Sequence, residues 1–286
     1  MFLAVAGVSP KCQVFVKSRC LLVSRRHGFG IDNVKRFSLH ARPVSRPFNF
    51  SLGIGLPVLA MMAMLVSNVA AIDFYFARMF YVPGLGFSGR HSYWLETVLH
   101  ERVKQGVILF ALLLIAGLVA SLVTSKLRLW RRPLAYAVLT IGLCTSIVTP
   151  LKALTEVQCP WSLQAFGGSE PYVTLLGERV DSPKPGRCWP GGHASTGFGL
   201  LALYFALRDR HPRAGRVALA VALGLGTLLS AGRMLQGAHF LSHNVWTLLI
   251  DWLIAVSCYR WLLYRPSAGR AEETQVRGVD PTPNVD

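Results

Sequence analysis

The chain has 286 residues, 52% of them hydrophobic and only 15% charged, with a mean hydropathy of +0.41 and a formal net charge of +16. A soluble domain usually carries about a quarter charged residues, so the composition argues against an ordinary soluble globular enzyme. The basic excess is weak evidence for nucleic-acid binding, because no basic patch interleaved with aromatics stands outside the apolar runs.

The first 46 residues do not read as a signal peptide: the apolar patch Phe2 to Val8 is short and no basic residue precedes it. The basic, poorly periodic stretch Lys11 to Arg46 reads either as a disordered cytoplasmic arm or as a helix lying on anionic headgroups. Six apolar runs follow: Leu52 to Ile72, Gly106 to Ser125, Leu134 to Thr149, Gly191 to Leu207, Val217 to Leu235 and Asn244 to Leu263. A spanning helix needs about 20 mostly apolar residues. Four runs meet that length, and the third and fourth sit at its short edge. Only helices or closed barrels span lipid. The expected fold is therefore all-α: a polytopic membrane domain over 47–265 with six transmembrane helices. A tail over 266–286, rich in Pro, Gly and charge, is expected to be disordered.

Lys and Arg set the orientation. Most of the 30 lie in the arm, in the connections around Lys126 to Arg132 and Arg208 to Arg216, and in the tail. These segments share one side of a six-span chain, which makes both termini cytoplasmic. The segments Asp73 to Lys104, Pro150 to Pro190 and Gln236 to Ser242 then face outward.

Five polar groups fall near that outer surface, far apart in sequence: Lys152, His193, Arg233, His239 and His243. Each alone also reads as a snorkelling cation or a headgroup histidine. Together, beside Gly191 and Gly192 at the mouth of an apolar run, they suit a phosphate ester. Cations and amides hold the non-bridging oxygens. Two glycines bare a helix start whose amides and dipole favour an anion. Two histidines can divide nucleophilic attack and proton donation. No HExxH or paired-Cys signature is present, so a metal-free, cofactor-free covalent route is the expected one.

Lys152-x6-Cys159-Pro160, Pro190-Gly-Gly-His193 and Gly232-Arg233-x5-His239-x3-His243 resemble the three signature motifs of the type 2 phosphatidic acid phosphatase superfamily, KxxxxxxRP, PSGH and SRxxxxxHxxxD. The resemblance covers roughly Leu134 to Leu263. It implies a six-helix membrane lipid phosphatase with an outward-facing site. It casts Lys152, Gly192 and Arg233 as phosphate ligands, with the neighbouring Gly191 in the same role. His193 is cast as the acid for the leaving oxygen and His239 as the nucleophile that becomes a phosphohistidine. Cys159, Gly191, Gly232 and His243 depart from the pattern's Arg, Ser, Ser and Asp. His243 is expected to orient His239 from four residues on along a helix face, or a carboxylate such as Glu101 or Glu156 serves instead. The implied partners are membrane lipids and a lipid phosphate: phosphatidic acid, phosphatidylglycerol phosphate, undecaprenyl diphosphate or a lipid A phosphate. The implied location is a bacterial inner membrane, with the site facing the periplasm. A phosphotransferase, an inactive six-helix scaffold and a transporter are the alternatives.

Cys159 and Cys188 bracket the long outward loop, each beside a motif, and an oxidising compartment favours a disulfide between them. Catalysis by a Cys159 thiolate is the rival reading. With the disulfide, Arg187 is expected to come near the site and replace the lost first-motif charge. Asp251, deep in the sixth span, is assigned packing or hydrogen bonding. His100 and Glu101 read either as the rim of the substrate's way in or as capping and snorkelling groups. Trp161 and Trp189 read as interfacial anchors or as the lining of a lipid-tail path.

Overall fold

The computed structural model describes residues 44–178, 182 and 184–266. The expectations for the arm up to residue 43 and the tail from 267 fall outside them. The chain is already part of the bundle at Ser45, before the expected boundary at 46. Ser45 and Arg265 exchange hydrogen bonds, and the Arg46 amide donates to Asp209 at 2.9 Å.

Helix α1 (Phe50–Val66) starts at Asn49, whose side chain accepts from the Leu52 amide. The expected first span does not continue to Ile72. Ser67 is extended, and α2 (Ala70–Phe80) leaves at 85° to α1. Asp73 and Ala77, one turn apart, are the buried residues of α2. A two-residue hairpin, β1 (Tyr81–Val82) with β2 (Gly86–Phe87), then returns the chain. The second span begins earlier than its apolar run: nine π-helical residues, Trp94–Arg102, lead into α3 (Val103–Val123). Helix α4 (Arg131–Thr155) outruns its expected segment at both ends and carries Lys152 in its last turn.

The expected fourth span is two seven-residue helices, α5 (Gly192–Phe198) and α6 (Leu201–Leu207). Tighter bonds cross the break, with the Leu200 amide on the Gly197 carbonyl and the Ala202 amide on Gly199. Helices α7 (Pro212–Leu235) and α8 (Leu241–Leu262) complete the bundle. The segment Trp94–Val123, together with α4, α7 and α8, is long and apolar enough to cross a membrane, and the bent pair α1–α2 makes a fifth if counted as one. The described chain is thus mostly helical, with four or five candidate spans instead of six continuous ones.

Helices α5 and α6 sit at the centre. A side-chain carbon on Gly197 would stand 2.5 Å from the Gly226 backbone, so only glycine lets α5 lie this close to α7. Tyr136, Leu201, Phe205, Val256 and Tyr259 form the core between α4, α6 and α8. By contrast α1 has no buried residue and α3 only Ser121. Their apolar faces are outward, as lipid-facing helices require. Some polar groups in the core are partnered: the Tyr136 hydroxyl donates to the Ala255 carbonyl, and Ser195 lies 3.2 Å from an Asp251 carboxylate oxygen. Asp251 therefore has the hydrogen-bonding role expected of it.

Two links tie the outer end together. Asp73 accepts from both the amide and the hydroxyl of Ser242, in the first turn of α8, whose own flanking residue Phe240 supplies no side-chain cap. Cys159 and Cys188 form a disulfide with Cα atoms 5.2 Å apart.

Two measurements test these links. Peptide mapping without reductant is expected to recover Cys159 joined to Cys188. Reduction should lower unfolding stability by about 3 to 4 kcal/mol for a loop of this size, read as a fall in the thermal midpoint in detergent. Asp73→Ala should cost about 1 to 2 kcal/mol through the lost cap, and an unchanged midpoint would show that α8 does not depend on it.

Candidate active site

Three motifs meet where the last turn of α4, the first turn of α5 and the α7–α8 junction face each other. The Lys152 ammonium stands 3.5 Å from where a side-chain carbon on Gly192 would begin. Arg233, in the last turn of α7, donates to the Gln236 side chain at 2.8 Å, while its buried Nε–H has no partner. Its guanidinium lies 5.7 Å from the Trp161 ring centre, with Arg90 over the same ring at 5.8 Å. Trp161 is thus a platform that positions Arg233 by cation–π contact. Neither sequence reading of Trp161 assigned it that role. Trp189 is buried and packs edge-on against Trp246 at 5.4 Å.

His239 lies before α8, not within it, and is only 4% exposed. Its Nδ1 is 2.7 Å from the Cys188 carbonyl. A carbonyl only accepts, so this contact places the proton on Nδ1 and leaves the Nε2 lone pair free. Burial first, and then the charges of Lys152, His243 and Arg233, hold the His239 imidazole well below its usual 6.5. The Cys188 hydrogen bond acts the other way, and less. The ring is neutral at physiological pH.

This geometry differs from two expectations for the orienting group. Because His239 is outside the helix, His243 does not share a helix face with it. The two rings stand 6.0 Å apart at 69°, and the His243 Nδ1, buried, has no partner. Glu156 ends α4 in a left-handed conformation and is exposed; Glu101 pairs instead with His100 at 3.4 Å. The acceptor beside His239 is a backbone carbonyl.

Two further candidates lie apart from the phosphate-facing side. The Gly191 amide donates to the Thr247 hydroxyl at 2.8 Å, so it is already used within the bundle. A side-chain carbon at 191 would stand 2.6 Å from the buried Asn244 side-chain oxygen, which explains glycine in place of serine. Arg187 is exposed beside buried Cys188 and pairs with no group of the site among the described residues.

His193 faces a group the motifs do not contain. The His100 ring, from the π-helical lead-in to α3, faces it with centres 4.0 Å apart and planes tilted by 35°. Both line a small crevice with Leu95, Leu99, Arg233 and Gln236. A second cleft lies on the far side of His243, at the α1–α2 elbow, and Asp73 and Trp246 share its wall.

Together these residues place two cations, an open helix start and several imidazoles around one spot. Comparison with curated proteins finds no match, and neither does comparison with solved structures. Residues 133–267, which hold Lys152, the disulfide-bonded loop, Arg233, His239 and His243, match the family model of the PAP2 superfamily.

Proposed function

We propose that the protein is a membrane phosphatase hydrolysing a lipid phosphate monoester or diphosphate at the outer leaflet, through a phosphohistidine on His239. The superfamily match supports a phosphoric ester hydrolase in general. The observation that carries the finer reading is a pair of cations without a salt bridge, Glu96 acting on Arg233 only from beyond that range. Lys152 and Arg233 are both partly buried, yet among the described residues the only ion pairs are His100–Glu101 and Arg208–Asp209. Partly buried cations are normally paired. A phosphate between these two would supply the missing negative charge.

The scheme follows from the atoms available. Lys152, Arg233 and the Gly192 amide hold the phosphoryl oxygens. His239 Nε2 attacks phosphorus, a P–N bond forms, and the P–O bond to the lipid breaks. His193 gives its proton to the leaving oxygen. Water then attacks the phosphohistidine with His193 as base, releasing orthophosphate and free His239. The scheme uses no metal. A six-crossing topology, counting the α1–α2 elbow once and α5–α6 once, with both termini cytoplasmic, is part of this reading. Its support is the Lys and Arg distribution, which also argues for a site on the periplasmic face of a bacterial inner membrane.

Purified protein and a His239→Ala variant should be incubated with phosphatidic acid, phosphatidylglycerol phosphate, undecaprenyl diphosphate and a lipid A phosphate. Wild type is expected to release orthophosphate, be inhibited by vanadate, and exceed the variant by about 1,000-fold or more. Equal release by the two would overturn the nucleophile assignment.

The neutral state of His239 has a consequence without substrate. Its folded-state pKa is depressed, so below 6.5 the unfolded chain binds a proton that the folded chain does not. Stability should therefore fall as pH drops below 6.5, by at most about 1.4 kcal/mol per pH unit from this group. The pH dependence of the thermal midpoint should be shallower in His239→Asn than in wild type, and parallel curves would show that His239 is not buried neutral.

A further inference from the structure

The pair His100–His193 joins a signature-motif histidine to one outside every motif, and His100 lies outside the family match. Its setting is unusual. Residues Trp94–Arg102 are π-helical for nine residues, a form rare except as short bulges and frequent at functional sites. Two glycines seat this segment on the end of α7. A side-chain carbon on Gly89 would stand 2.7 Å from Leu95 and 2.9 Å from the Leu235 backbone, and one on Gly232 would stand 2.6 Å from Leu99. Gly232 is the position where the superfamily pattern has serine. The missing side chain leaves the space that Leu99 fills, and Leu99 is the neighbour of His100.

We infer that His100 is a positioning residue that governs proton donation by His193 to the leaving oxygen. This rests on the phosphatase reading above. Two positive rings with centres 4.0 Å apart repel each other, so the pair holds at most one proton. The charged groups facing the pair are Arg233 from α7, Lys152 from α4, Lys104 from α3 and Glu101. Three of the four are cations, and the carboxylate of Glu101 is 51% exposed, so solvent screens it. A second imidazole in this cationic corner gives the one proton a second site beside the leaving oxygen, ready for an alkoxide. Proton donation matters most where the leaving oxygen is a poor leaving group. His100 therefore matters for a lipid alkoxide and little for a nitrophenolate.

The test compares wild type, His100→Ala and His100→Phe on dioleoyl phosphatidic acid in micelles and on para-nitrophenyl phosphate, between about pH 5 and 9. The phenylalanine keeps a packed ring and removes the titrating nitrogens. Both variants are expected to lose about tenfold on phosphatidic acid and less than about threefold on the aryl phosphate. In both, the alkaline limb of kcat/KM should move to lower pH, because the shared proton has lost its second site. Equal losses on the two substrates, or a His100→Phe variant matching wild type on both, would reduce His100 to packing and overturn the inference. No phosphate release by wild type from either substrate would sink the phosphatase reading, and this inference with it.

Discussion

The site depends on one residue whose side chain does no chemistry. Cys188 is bonded through sulfur to Cys159, four residues past the end of α4, and through its carbonyl to the ring of His239 ahead of α8. Three segments distant in sequence are fixed against one another by those two contacts. Next to it, Trp189 and Pro190 lead directly into α5, which carries Gly192 and His193. Displacing the Cys188 carbonyl would free the His239 ring to turn and its proton to change nitrogen. A buried imidazole in the wrong tautomer presents N–H where a lone pair is needed. The covalent tie and the tautomer are thus one constraint.

That constraint gives physical meaning to the departures from the superfamily pattern. On the proposed scheme a carboxylate at 243 would have oriented His239; the Cys188 carbonyl makes that contact instead, and it needs no buried charge. Serine at 191 would collide with Asn244, while Thr247 takes the amide that the motif leaves bare. Serine at 232 would collide with Leu99. These are local repackings in which a neighbour fills the space the motif residue would have occupied. Among the described residues, the contacts at the site include Gln236 and Trp161 at Arg233, His100 at His193 and the Cys188 carbonyl at His239.

Hydropathy made most spans legible, because a helix in lipid must be apolar along its length. It read direction poorly. The run Leu52 to Ile72 is continuous in hydropathy, yet the chain turns by 85° at Ser67 to Val69. The available signal was finer: in AAIDFYFARMF the buried Asp73 and Ala77 lie one turn apart, as an interfacial helix would place them. Helix ends were misjudged where polar side chains continue a helix, as Lys152 does in α4. The site's cations and histidines were legible because such side chains at membrane ends are scarce. The Cys188 carbonyl was not, since a backbone acceptor has no letter of its own. His100 was missed for a different reason. A π-helical stretch has no distinctive residue period, and the ring it aims lies 93 positions from its partner (His100 to His193).

The two charged departures also balance each other. Exchanging the first-motif arginine for Cys159 removes a positive charge. Exchanging the third-motif aspartate for His243 removes a negative one. Either change alone would disturb the charge around a nearly dry site, where His239 is 4% and His243 5% exposed. A lone carboxylate at 243 would have been drawn to Lys152 or Arg233, and a cation so occupied is less free to hold phosphate. Breaking a buried pair by losing one member is the costly change, whereas losing both and repacking is often close to neutral. Here a disulfide stands at position 159 and a carbonyl contact holds His239, and neither carries charge. Among the described residues Lys152 and Arg233 are then left without a salt bridge, Glu96 acting on Arg233 only from beyond that range, and on the proposed reading a phosphate is the partner that fits them.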